Sequence, residues 1–291
     1  MRIDLHTHSD VSDGTDPPAV LVSAAVAAGL DVIALTDHDT LDGIAEAVAS
    51  AAAGPVAVLP GIELSTCLQG RSVHLLGYGC RPDASLLAEL ERLRSGRNDR
   101  IPTTVRRLTE LGYPITLAEV ERHAHGTSVG RPHVADALVA RGHVADRDEA
   151  FERLLADGGP AYVDRYATDL PTAIGLVHAA GGVAVIAHPW SRGSQQTLPE
   201  PVIAELAAQT GLDGIEVDHP DHDQPTRTAL RGIAERTGLL TTGSSDHHGT
   251  GKTRNPLGAE TTDPAVLAEI LRRITAHGGE RGSFAADGAR G

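Results

Sequence analysis

Short runs of apolar and β-branched residues recur at about 2–6, 31–36, 55–64, 72–79, 183–188, 213–218 and 239–245, each about the length of one strand. Most are followed by Ala- and Leu-rich stretches with helical spacing, near 17–28, 40–53, 171–180, 199–210, 225–237 and 264–276. Pro17 and Pro18 open the first of these and Gly29 stops it. This repeated strand and helix alternation predicts an α/β fold, and seven such strands suggest a barrel. Residues 84–164 break the alternation. They show no convincing strand but several helix signals, including capping boxes at Thr116-x-x-Glu119 and Asp146-x-x-Glu149. The pattern therefore predicts a barrel domain of 1–83 and 165–277 interrupted by a helical insertion at 84–164. Residues 278–291, Gly-rich and aperiodic, read as a disordered tail.

Polar residues of one chemical type sit just past these apolar runs. His6-Thr7-His8, Thr36-Asp37-His38-Asp39, Gly61-Ile62-Glu63-Leu64 and Ser245-Asp246-His247-His248 each place a metal-liganding side chain there. Strand side chains alternate faces, so His6 and His8 point the same way and two imidazoles grip one ion. An isolated His-x-His is more often a pair of loop residues; the other three runs reverse that reading. In parallel α/β barrels the catalytic groups sit at the C-terminal ends of the strands. Here His6 and His8 end the first strand, His38 the second and Glu63 the third; His74 lies in the fourth, His188 ends the fifth, and Asp246 with His248 ends the seventh.

On His6-x-His8, Asp37-His38, Glu63, His188-Pro189 and Asp246-x-His248, in that order, the chain resembles the polymerase and histidinol phosphatase (PHP) superfamily over roughly 1–80 and 170–250. The resemblance implies a distorted seven-stranded (β/α)7 barrel holding up to three metals. It implies a first metal on His6, His8, Glu63 and Asp246, and a second on Glu63, His74 and His188, bridged by Glu63. A third would take Asp13, His38 and His248, with Asp13 standing where some relatives use His. Glu63, Asp246 and His188 then carry the catalysis. Thr36 and Asp37 are expected to orient His38, because liganding imidazoles need an acceptor on the other nitrogen. Imidazole and carboxylate without thiolate favour Mn, Zn or Fe over Ca or Mg. A bridged metal pair lowers the pKa of a water to ~7 and clamps phosphoryl oxygens, so no nucleophilic Ser or Cys is required.

Gly130-Arg131-Pro132-His133 opens an apolar helical pattern, and free N–H groups at such a start attract phosphate, with Arg131 adding a bidentate contact. A similar Gly-Arg-Pro-His occurs in the branch of the superfamily acting on nucleoside 3',5'-bisphosphates and 5'-phosphorylated short RNA, which makes Arg131 and His133 candidate phosphate contacts. His219 and His222, after the sixth strand, are further substrate candidates. Arg92, Arg94, Arg97, Arg100, Arg106 and Arg107 stand against the single Asp99 between 92 and 107. They form either a backbone guide or a solvated face. Gly249-Thr250-Gly251-Lys252-Thr253 fails as a P-loop because the first glycine would fall on Asp246. His123 and His125 read as a solvated loop, and His143, His178 and His277 receive no role.

Composition narrows the partners. Aromatics at 2% leave few rings for stacking single-stranded bases, and a net charge of -14, from 25 basic and 39 acidic residues, repels polyanions. A small phosphorylated nucleotide or short oligonucleotide fits; long duplexes and a membrane do not, and no obligate protein partner is inferred. Cys67 and Cys80 are too far apart for a Cys-x-x-Cys site, which fits a reducing cytoplasm. No signal-peptide pattern opens the chain and no apolar run reaches the ~18 residues a span requires. The expected activity is a metal-dependent phosphoesterase, using two or three divalent ions, that acts on a nucleotide bearing a second phosphate or on short 5'-phosphorylated oligonucleotides. Histidinol-phosphate phosphatase and a non-catalytic PHP binding module are the alternatives. Arg131 disfavours the first, since a monophosphate has no use for a second anion clamp. The full ligand set disfavours the second.

Overall fold

A computed structural model describes residues 1–52, 54–124 and 129–284. β1 (Ile3–Thr7), α1 (Pro18–Ala27), β2 (Val32–Leu35), α2 (Ile44–Ala51) and the start of β3 (Ala57–Leu68) form two successive β/α units with parallel pairing. At Pro60 the pairing with β2 ends. From Gly61 onward β3 pairs antiparallel with β4 (Arg71–Tyr78) across a two-residue turn at Gln69-Gly70, both with positive φ as such hairpins require. Gly61 is required where β3 changes partner: a Cβ there would lie 2.7 Å from Thr36 and 3.0 Å from the Leu35 carbonyl.

The chain next enters α3 (Ala84–Glu110), α4 (Leu117–Glu121), α5 (Arg131–Ala140) and α6 (Arg147–Ala150), which runs on into a π turn at Phe151–Leu155. Among the described residues of 84–164 there is no strand. Ile101, Leu108, Val120, Leu138 and Leu155 form an apolar cluster separate from those of the barrel. The Thr116 capping box is complete. At Asp146 the side chain caps Glu149, whose own carboxylate turns instead to the N–H of Ala145.

The two-residue β5 (Thr168–Asp169) pairs with the far end of β3. Then follow α7 (Leu170–Ala179), β6 (Val183–Ile186), α8 (Glu200–Thr210), β7 (Gly214–Asp218), α9 (Gln224–Thr237), β8 (Leu240–Gly243) and α10 (Pro264–His277). The strand order is β1-β2-β3-β4-β6-β7-β8, and a bridge between Thr7 and His247 brings the last strand back to the first. The fold is the expected distorted seven-stranded barrel, nearly closed, with β4 reversed. Ile3, Leu5, Leu59, Leu76 and Val185 fill its interior against α10, each contributing about 1.5–3 kcal/mol by leaving water. No helix among the described residues is long and apolar enough to cross a membrane.

The C-terminal expectation needs correction in its first half. Gly279 and Glu280 donate to Ile274 and Gly79, Ser283 exchanges hydrogen bonds with Val58, and Phe284 packs on the barrel core, so 278–284 are tied to β3 and β4. Backbone donors left by the edge of β3, rather than side-chain periodicity, fix this segment. Residues 285–291 lie outside the described residues, as does His125.

Candidate metal centre

All nine anticipated ligands meet at one end of the barrel. Eight of them form three groupings, His6, His8, Glu63 and Asp246; His8, Asp13, His38 and His248; and His38, Glu63 and His74, while His188 joins none of these and faces Glu63 instead. Glu63, in the middle of β3 rather than at its end, divides its oxygens. Oε2 faces His6 Nε2 at 3.2 Å, His8 Nε2 at 3.1 Å and His38 Nδ1 at 3.2 Å. Oε1 faces His74 Nδ1 at 2.6 Å and His188 Nε2 at 3.2 Å. Asp246 Oδ1 lies 3.5 Å from His6 and 3.4 Å from His8, while Asp13 reaches His248 Nε2 at 3.3 Å and His38 Nε2 at 3.6 Å.

The same atoms show that cations fit. His6 Nε2, both nitrogens of His8, His38 Nδ1 and Glu63 Oε2 are buried without a hydrogen-bond partner among the described residues. Buried polar atoms left so are costly, and divalent ions satisfy lone pairs converging from several directions. The backbone is strained at the same place. Asp246 has φ 53° and His188 φ 27°, conformations that cost non-glycine residues and cluster at functional sites.

Titration follows from the crowding. Burial pushes imidazoles toward neutrality and takes His188 and His248 down to about 4. At His8 burial acts the same way, but Asp246, Glu63 and Asp13 outweigh it and raise the imidazole to about 9. Burial opposes the charges of Glu63, Asp13 and Asp246 too. The surrounding imidazoles, with Lys252 at Asp246, nevertheless hold all three well below the usual carboxylate range.

Beside this acidic centre lies a cationic recess. Arg97, on α3, donates to Asp39 at 2.7 Å and to Ser65 at 2.6 Å, next to ligand His38. Arg100, one turn on, is 5% exposed and its Nε has no partner among the described residues. Burial, then repulsion from Arg165, Arg131 and Arg97, takes it down to about 8. Arg131 donates to the Leu155 carbonyl at 2.9 Å and Asp157 at 2.6 Å. His133 is buried and accepts the Gly130 N–H at 2.9 Å. The rest of the arginine run is solvated or paired, with Arg92 on Glu89 and Arg106 near Glu110.

Comparison with known proteins decides the family. The PHP domain model matches residues 4–127. A 3',5'-nucleoside bisphosphate phosphatase from Chromobacterium violaceum is 35% identical, over 94% of this chain and 97% of its own. The chain belongs to the PHP family. A 5'-3' exoribonuclease from Haemophilus influenzae is also 35% identical, over 85% of this chain and 90% of its own. A solved structure from Bifidobacterium adolescentis, assigned as a metal-dependent phosphoesterase, superposes with a TM-score of 0.89 at 35% identity, covering 93% and 96% of the two chains. This PHP protein is a metal-dependent phosphoric ester hydrolase.

Several residues around the PHP centre escaped the sequence reading. Glu216, buried in β7, accepts from His6 Nδ1 at 3.2 Å, from the His188 N–H at 2.7 Å and from Ser244, so it aims His6 Nε2 at Glu63. An alternating strand pattern gives no hint that one inward position is acidic. Lys252, the only lysine, ion-pairs with Asp246 Oδ2. It lies in the segment dismissed as a failed P-loop. Thr36 and Asp37 do not touch the His38 ring. Thr36 donates to the Thr7 carbonyl, and Asp37 accepts from Ser9 and Ser12, holding the loop that carries Asp13. His219 lies inside the site, its Nδ1 accepting the Asp221 N–H at 3.0 Å. Its Nε2 therefore carries the proton, 3.5 Å from Asp246 Oδ2. His222 donates through Nδ1 to the Val217 carbonyl and lies behind His219.

Proposed function

We propose that this PHP enzyme hydrolyses a phosphate ester of a small nucleotide bearing a second phosphate, a nucleoside 3',5'-bisphosphate, or trims short 5'-phosphorylated oligonucleotides. The observation that carries this reading is the buried Arg100, whose Nε has no partner among the described residues, near Arg165, Arg131 and the Arg97 that adjoins His38 through Asp39. Mutually repelling guanidinium groups, one without a counter-ion, are satisfied by a multiply charged anion that does not react. The names of the two relatives point to the same substrates.

Three divalent ions, Mn, Zn or Fe, would be held in this reading by His6, His8, Glu63 and Asp246; by Glu63, His74 and His188; and by Asp13, His38 and His248. When bound they supply positive charge to the phosphoryl oxygens and acidify water. The chain's own residues do the rest. Glu63 would serve more than one ion, since it presents Oε2 to His6, His8 and His38 and Oε1 to His74 and His188. Glu216 fixes the tautomer of His6. The Lys252 ammonium steadies the outer oxygen of Asp246, which His219 Nε2 approaches at 3.5 Å, and Oδ1 is left to face His6 and His8. Arg131, Arg97, Arg100 and Arg165 hold the second phosphate and so place the ester over the ions, which lowers the barrier by orientation. His133 keeps the start of α5 in register through Gly130, and His222 backs His219.

Turnover of AMP, adenosine 3',5'-bisphosphate, histidinol phosphate and a 5'-phosphorylated trinucleotide, each with Mn, tests the proposal. It expects the bisphosphate or the trinucleotide to lead in kcat/KM. Preference for histidinol phosphate would move the assignment to the monophosphatase alternative, and no turnover of any ester would favour a binding module.

A further inference from the structure

Arg147 lies where the helices of 84–164 meet the barrel loops. Its Nε and one NH2 group donate to the two oxygens of Asp136 on α5, both at 2.7 Å. The remaining terminal nitrogen donates to the backbone carbonyl of Asp13 at 2.9 Å. The side chain is 12% exposed. It packs so closely on Gly251 that a Cβ there would fall 2.2 Å from the guanidinium. Gly251 ends the short turn that follows His248, and the Thr250 N–H donates to Thr15 at 2.9 Å. The two loops carrying Asp13 and His248 are thus joined to each other and, through Arg147, to α5 and α6.

A ligand on a loop is aimed by its main chain. Asp13 sits in a turn closed by Gly14, where a Cβ would come within 2.5 Å of the His8 carbonyl, so the turn has no slack toward the barrel. On its other side the only side chain that bonds its carbonyl, among the described residues, is Arg147. A planar guanidinium with two donors committed to Asp136 has one direction left for the third. That direction fixes the Asp13 carbonyl and, through the Cα they share, the origin of the side chain that bears its carboxylate.

We propose that Arg147 is the positioning residue of the third metal site: it holds Asp13 toward His38 and His248, and makes occupancy of that site depend on how α5 and α6 seat against the barrel. This rests on the three-ion reading given above. α5 carries Arg131 and His133 in its first turn and Asp136 one turn further on. A phosphate gripped at Arg131 and an ion held by Asp13 therefore act on one rigid helix of ~15 Å. Whatever binding one gains from the other is reciprocal.

Manganese titration by calorimetry, with metal analysis after dialysis, tests this on wild type, Asp13→Ala, Arg147→Gln, Arg147→Lys and Asp136→Asn. Wild type should take three ions and Asp13→Ala two. Arg147→Gln should weaken the third ion by about ten- to a hundredfold while the other two bind as before, the usual loss when a group orienting a ligand is removed. Lysine should recover little, because one ammonium cannot serve Asp136 and Asp13 in the same fork. Asp136→Asn, which keeps shape and leaves Arg147 in place, should show a smaller loss of the same ion and stands in if Arg147→Gln does not fold. Three ions at wild-type affinity in both Arg147→Gln and Asp136→Asn would overturn the inference. So would equal weakening of every ion, which marks a general structural role. Two ions in wild type at saturating Mn would sink the three-ion reading itself, a separate failure from that of Arg147.

Discussion

The metal centre and the arginine recess are neighbours whose charges fail to balance in opposite directions. The centre gathers three carboxylates, Asp13, Glu63 and Asp246, among imidazoles, two of which burial keeps neutral. The recess sets Arg97, Arg100, Arg131 and Arg165 against Asp39 and Asp157. One lacks cations and the other lacks an anion. In the proposed function, a substrate with two phosphates, joined to metal ions, would complete both at once. The difference teaches that unbalanced buried charge marks binding on both sides, with the sign naming the missing partner.

Removing Glu63 should break the centre and spare the recess. Glu63→Gln keeps the size of the side chain but loses the charge that, in the proposed function, would bridge two ions. Activity should fall by about a thousandfold or more, with the ions of both sites lost, while circular dichroism stays that of the folded barrel. A variant that binds the wild-type number of ions and turns over normally would show that the centre has been misread.

Asp13→Ala acts on one ion. It should remove about one equivalent of metal and slow turnover by about a hundredfold, leaving the Glu63 pair in place. Loss of all metal on dialysis, or of none, would remove Asp13 from its assigned site.

The two regions also differ in how far the sequence reveals them. Most candidate ligands of the centre follow a strand-length apolar run or sit within one, because barrels put chemistry at strand ends, so periodicity plus residue type pointed to His6, His8, His38, His188, Asp246 and His248; Asp13, in a loop, came from the family resemblance alone. Glu63 was found for the right reason at the wrong place: β3 runs on to Leu68 because β4 supplies a new antiparallel edge. The recess is tertiary. Arg97 and Arg100 share a face of α3, Arg131 begins α5 and Arg165 precedes β5. The run from Arg92 to Arg107 was visible, but nothing local says that two of its members turn inward while Arg92 and Arg106 stay solvated. Glu216 and Lys252 were hidden likewise, as their meaning comes from the residues facing them. Ser283 and Phe284 were misjudged because a segment held by backbone hydrogen bonds leaves no side-chain period.

Breaking the recess should affect substrates unequally. Arg131→Ala should cost about ten- to a hundredfold in kcat/KM for a bisphosphate or 5'-phosphorylated substrate, and almost nothing for a phosphomonoester without a second phosphate. Arg131→Lys should recover part of that. Arg100→Met should match the selectivity loss and leave the ligand-free protein as stable or about 1–4 kcal/mol more stable, because an unpaired buried cation is replaced by a side chain that packs. Equal damage to both kinds of ester, or a drop in melting temperature for Arg100→Met, would mean that the arginines support the fold or the reacting phosphate instead.

The smallest effect expected is a pH dependence confined to the centre. In the metal-free protein the carboxylates around His8 hold its imidazole at about 9 against the opposing pull of burial, and Glu63, Glu216 and Asp246 likewise raise His6 well above its ordinary value. At pH 7 both therefore carry protons that an ion must displace, whereas His188 and His248, at about 4, are already neutral and release none. Protonation competes with metal, so the affinity of the first site should rise by about tenfold per pH unit for each proton released, and the slope should lessen once His8 is neutral above pH 9. Calorimetric titration with Mn in buffers of different ionisation enthalpy reads the proton count directly and should give one to two per first ion at pH 7. Binding of a second phosphate to the recess, measured the same way with a bisphosphate on metal-free protein, should show much less proton movement, because the guanidinium groups stay charged. An affinity for the first ion that is flat between pH 6.5 and 8.5, with no proton released, would show that His6 and His8 are neutral without metal and that imidazole protons do not offset the charge of the three carboxylates.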